Sequence, residues 1–147
     1  MTGGERVLPQ SVRAWAFWVE GHPVPQPRMT RAGRGAMAQH PVWAWRDAIG
    51  WRAKEAGLQE PLPKGTPVEV IAHFWLKSSP TSRPDLDNLL KAVEDALIGV
   101  AYEDDAQVVR LTGAKLQVPA GGRGEGVGVQ VLVGTPDAEE GGERWLS

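Results

Sequence analysis

From Pro67 to Lys77 the chain alternates with a period of two. Val68, Val70, Ala72, Phe74 and Leu76 fall on one side; Glu69, Ile71, His73, Trp75 and Lys77 fall on the other. Successive side chains of a strand point to opposite faces, so this run reads as a β-strand. Apolar groups on both sides make it a central strand with partial cover on each face. A polar turn over 78–83 follows. The period then changes, and Leu86, Leu89, Leu90, Val93, Ala96 and Leu97 form one apolar stripe of a helix that Gly99 ends. Residues 107–118 form a second strand candidate, with Val109 and Leu111 on one face.

The flanks are read in the same way. Ala14 to Glu20 is aromatic and β-branched, a strand ended by Gly21. Prolines 23, 25 and 27 then exclude helix, because each removes a donor and fixes φ. The loop continues, basic and glycine-containing, through Gly35. From Pro41 to Gly57 the pattern is helical, with Trp45, Ala48, Ile49, Arg52 and Ala53 at three- and four-residue spacing. A proline-rich connection covers 58–65. Residues 120–126 read as a glycine-rich hairpin loop, and Val127 to Val133 as a further strand. The expected organisation is a flexible N-terminus over 1–13, one domain over 14–134 and a disordered acidic tail over 135–147.

At 147 residues the chain suits one domain with a real core. It has no cysteine, which excludes disulfides and thiolate metal sites and fits the cytoplasm. Without an apolar run of about 18 residues, no membrane partner is expected. The net charge of −2 argues against a nonspecific polycation, but the charges are segregated. Between 28 and 54, Arg28, Arg31, Arg34, Arg46, Arg52 and Lys54 face only Asp47. Between 85 and 105, Asp85, Asp87, Glu94, Asp95, Glu103, Asp104 and Asp105 face only Lys91. A basic half beside an acidic centre suits a metal-using enzyme acting on a polyanion, with the arginines contacting phosphates.

The acidic centre is the candidate site. Clustered aspartates repel one another, and a fold that gathers them offsets the cost with a cation. Hard oxygen ligands suit Mg²⁺ or Mn²⁺. Asp85 and Asp87 are two apart, about 200° around a helix, so they share no helical face. They converge if Asp85 is extended after Pro84 and Asp87 opens the helix. Lys91 then lies one turn beyond Asp87 on the same face. The simpler alternative is a helix cap plus an ordinary Asp87–Lys91 ion pair. Of Asp104 and Asp105, extended backbone turns only one inward, and spacing leaves open which. The histidines show no ligand spacing, and the tryptophans read as core or interface residues, with base stacking by Trp43 or Trp45 a minor reading.

Arg83-Pro84-Asp85-Leu86-Asp87-Asn88-Leu89-Leu90-Lys91-Ala92, with Asp95-Ala96-Leu97 and then Tyr102-Glu103-Asp104-Asp105-Ala106-Gln107-Val108-Val109, closely resembles the RusA-type Holliday junction resolvases. The similarity runs from about Phe17 to Leu116 and includes Gly21-His22-Pro23-Val24-Pro25-Gln26-Pro27-Arg28, where Gln26 replaces a residue that is basic in many members. The resemblance implies an α/β (α+β) fold, a small mixed β-sheet with helices packed against it, and a homodimer. It implies a Mg²⁺- or Mn²⁺-dependent endodeoxyribonuclease acting on four-way DNA junctions. It places the metal-binding and catalytic aspartates at Asp85, Asp87 and Asp105, and the motif lysine at Lys91. Two other readings compete: a nuclease selective for flaps or other branched DNA, and a junction-binding protein without activity.

Overall fold

The computed structural model describes residues 13–27 and 38–134. The N-terminal residues 1–12, the acidic tail 135–147, and Arg28, Arg31 and Arg34 lie outside the described residues.

Four strands and two helices make up the described chain. They are β1 (Arg13–Glu20), α1 (Val42–Glu55), β2 (Val68–Leu76), α2 (Leu86–Leu97), β3 (Val108–Gln117) and β4 (Gly126–Val133), with a single 3₁₀ turn, Asp105–Gln107, before β3. The sheet is mixed, in the order β1-β4-β2-β3. β2 is interior, as its two-sided apolar pattern requires. It runs parallel to β3 and antiparallel to β4. A parallel pair needs a crossover, and α2 supplies it.

The 120–126 segment is therefore not a hairpin. β2 stands between β3 and β4, so residues 118–125 bridge across its end. A glycine-rich stretch marks a change of direction, but local spacing carries no information about which strand the chain rejoins. β4 pairs with β1 along its whole length, from Arg13 opposite Val133 to Glu20 opposite Gly126.

Both helices cover one face of the sheet. Val68, Val70, Ala72, Phe74 and Leu76 are fully buried beneath them, joined by Val127, Val129 and Val131 of β4 and Val19 of β1. Burying each such side chain contributes about 1.5–3 kcal/mol. α1 brings Val42, Trp45, Ile49 and Ala53 to this core. α2 brings Leu89, Ala92, Val93, Ala96 and Leu97. Gly113 of β3 fixes how closely α2 approaches: a Cβ there would stand 2.7 Å from the Leu90 side chain. The Val109–Leu111 edge of β3 faces solvent, because the helices do not reach it.

α1 ends as its sequence predicts. Gly57 has φ +117, and the Leu58 amide donates back to the Ala53 carbonyl at 3.1 Å, a turn that favours glycine.

Candidate active site

The acidic motif sits where β2 gives way to α2. Asp85 is the residue before the helix, in extended backbone with φ −72 and ψ 142, after a cis Arg83–Pro84 peptide bond. Its carboxylate makes no cap bond to the helix and pairs instead with the Arg83 guanidinium. Asp87 lies in the first turn, exposed, and accepts a hydrogen bond from the Asn88 amide at 2.9 Å. The expected arrangement of the two aspartates is thus present: one extended, one opening the helix. Acids here also complement the positive end of the helix dipole.

Lys91 does not pair with Asp87. Its ammonium bridges Asp95, one turn further on, at 3.0 Å, and Asp105 at 3.4 Å. Hydrogen bonding to Asp95, against a cost from burial and with help from Asp105, raises the Lys91 pKa above its ordinary value. Asp95 is the residue that pattern reading passed over; its i,i+4 spacing from Lys91 was the available signal. Nearby, burial is the main cause that lifts the Glu94 carboxyl above the usual range. Tyr102 is fully buried, donates its hydroxyl to the Glu94 carbonyl at 2.8 Å, and has its phenol pKa pushed up, chiefly by burial.

The structure separates Asp104 from Asp105. Asp104 caps the 3₁₀ turn: its side chain accepts from the Ala106 amide at 2.9 Å, within a capping box completed by Gln107. Asp105 is free of that duty and faces Lys91. Gln107 is the anchor of the loop. Its Oε1 accepts from the amides of Glu103 at 2.9 Å and Asp104 at 3.0 Å. Its Nε2 faces the carbonyls of Leu62, Pro63 and Thr66 at 3.1–3.2 Å. It is the buried polar residue of the described chain, at 7% exposure.

The carboxylates therefore stand in two groups, Asp85 with Arg83 and Asp105 with Lys91 and Asp95. Among the described residues no three acidic or histidine side chains are gathered as a ready cation cage. The chemistry of the donors still suits a hard divalent ion: they are all carboxylate oxygens, Asp85 and Asp105 are each about two-fifths exposed, and Lys91 alone faces two carboxylates, which leaves that group negative.

Of the basic candidates, Arg46 is partly buried, stacked over Trp43 at 4.7 Å and donating to the Asp95 carbonyl at 3.4 Å. Arg52 is exposed and paired with Glu55 at 2.9 Å. The proline segment docks at the site: the Gln26 amide donates to the Asn88 carbonyl at 2.9 Å, inside the first turn of α2.

The family model of the endodeoxyribonuclease RusA matches residues 19–131, which include every element of this site. The chain belongs to the RusA endodeoxyribonuclease family. Membership carries the fold expectation, and the mixed sheet with two helices agrees with it. The family is described as one of endodeoxyribonucleases. Similarity also extends to the uncharacterized protein YqaN of Bacillus subtilis (strain 168), 53% identical over 36 residues. That match spans 24% of this chain and 25% of the relative. No helix among the described residues is long and apolar enough to cross a membrane.

Proposed function

We propose that this chain is a Mg²⁺- or Mn²⁺-dependent endodeoxyribonuclease that resolves four-way DNA junctions by paired, symmetric hydrolysis, working as a homodimer with one site per subunit. The observation that carries the reading is the acidic motif at the mouth of α2, with Lys91 one turn inside the helix and bridged to Asp105, within a chain that matches the RusA family over most of its length.

Asp85, Asp87 and Asp105 would hold the metal. When bound, it would lower the pKa of a water and balance charge on the leaving oxygen. The chain's own groups do the rest. Arg28, Arg31, Arg34, Arg46 and Arg52 hold phosphates, which supplies most of the affinity and makes it salt-dependent. Lys91 exchanges its carboxylate partners for charge developing on the scissile phosphate. Two symmetric cuts suit a two-fold dimer.

The test is cleavage of labelled four-way junction, flap and linear duplex, with and without Mg²⁺, by wild type and Asp87→Asn. Paired nicks in opposing strands of the junction, dependent on Mg²⁺ and lost in the variant, are expected. Preferential cutting of flaps would transfer the chain to a different branched substrate. Cleavage by Asp87→Asn at the wild-type rate would refute the site.

A further inference from the structure

Lys115 lies outside the acidic motif but reaches it. It stands on β3 opposite Phe74 in the parallel register, on the sheet face that the helices cover. Its ammonium donates to the Ser82 carbonyl at 2.7 Å and to the Pro84 carbonyl at 2.7 Å. These carbonyls flank Arg83, whose guanidinium pairs with Asp85, and Pro84 directly precedes Asp85. No carboxylate pairs with Lys115 among the described residues. A lysine has three donors and a flexible stem, so two short charge-assisted bonds to adjacent turns of loop hold that loop firmly. The loop otherwise has little to hold it: the bonds within 78–83 run among Ser79, Thr81 and Ser82 alone.

We propose that Lys115 is a positioning residue for cleavage: by tying the Ser82 and Pro84 carbonyls to β3, it sets where the Asp85 carboxylate stands. This rests on the proposed nuclease site, and it assigns that site a support from a different element of the sheet. Lys115 itself touches neither the substrate nor the reacting atoms.

The experiment compares Lys115→Met, which keeps the stem and removes the donors, with Lys115→Arg, which restores them, beside wild type and Asp85→Asn. Cleavage of a four-way junction in Mg²⁺ is expected to fall at least tenfold in kcat for Lys115→Met, with junction affinity measured in EDTA changed less than about twofold, and to recover in Lys115→Arg. Mn²⁺ binding to the free protein, followed by calorimetry, should weaken in Lys115→Met. Tighter Mn²⁺ binding would show that Lys115 acts through its charge alone and would overturn the proposal. Wild-type kcat in Lys115→Met would overturn it too, while loss of activity in Asp85→Asn leaves the nuclease reading standing. Amide exchange in the 82–86 segment supplies a readout that needs no activity: protection there should drop in Lys115→Met and return in Lys115→Arg, and unchanged protection would refute the tie.

Discussion

Gln107 offers the sharpest test of how the acidic loop is held. One side chain satisfies two amides and faces three carbonyls. Its Nε2 has two hydrogens, so at least one of the three carbonyl contacts shares a donor. Gln107→Leu keeps nearly the same volume and removes every one of these bonds. Each buried group left without a partner costs about 1–3 kcal/mol. The Glu103 and Asp104 amides belong to exposed residues and can turn to water, whereas the Leu62 carbonyl is buried, so the expected loss is about 1–3 kcal/mol. That is a large part of the roughly 5–15 kcal/mol that holds a domain together. Equilibrium unfolding in urea would measure it. Gln107→Glu adds a sign. The carboxylate still accepts from the two amides but turns a bare oxygen toward three carbonyls, so the folded state favours the protonated acid and raises its pKa. Stability should then be highest below the ordinary glutamate range and fall as pH rises through the raised value. A cost below about 1 kcal/mol for Gln107→Leu, or a pH-independent Gln107→Glu, would refute the reasoning.

Other perturbations follow from the same geometry. Gly126→Ala would bring a Cβ within 2.4 Å of the Trp18 ring and 2.5 Å of the Val19 carbonyl, so the melting temperature should fall by an amount matching about 1–3 kcal/mol of overpacking. Glu125 accepts from the Lys77 amide at 2.7 Å and pairs with His22 at 2.8 Å. Burial opposes ionisation there, but these two partners outweigh it and hold the carboxyl below its ordinary range. Its contribution is present above the unfolded carboxylate pKa and is lost as pH falls through the lower folded value. The gap in melting temperature between wild type and Glu125→Gln should accordingly close in acid. Asp104→Ala and Asp105→Asn should divide by role: the first removes the 3₁₀ cap and lowers stability by about 0.5–2 kcal/mol, while the second abolishes cleavage with stability little changed. Arg46→Ala should reduce the salt dependence of junction binding by about one unit of slope, read from affinities at several salt concentrations.

Much of this was legible in the sequence wherever one face of an element is buried and the other is not. β2 and α2 each carry a clean period, because the core selects every second or every third and fourth residue. The two-sided apolar character of β2 even located it inside the sheet. Strand order was not legible, since β4 inserts between β1 and β2 for reasons of long-range pairing that leave no local trace. The choice between Asp104 and Asp105 was open on alternation alone. The spacing from Asp104 to Gln107 is that of a capping box, so the signal existed and pointed to Asp104 as the structural member. Lys115 had no such signal, because its partners are backbone carbonyls 33 and 31 residues away. The grouping of Lys91 with Asp95 instead of Asp87 reflects a choice between two equal helical spacings, settled by the nearby Asp105.

The insertion of β4 has a consequence for how the molecule forms. β4 bonds to β1 on one side and β2 on the other, and it is the final strand of the described chain. Until it arrives, the first strand has no partner and the interior strand has a bare edge. A nascent chain halted before residue 126 can make the β2–α2–β3 crossover but cannot recruit β1. Completion thus waits on pairing across more than a hundred residues, which predicts slow, late commitment to the native sheet. It also sets Arg13 beside Val133. A circular permutant that joins those ends by a short linker and opens the chain at the exposed 120–124 bridge would place β4 first, next to β1, and should reach the native sheet faster than the natural order does.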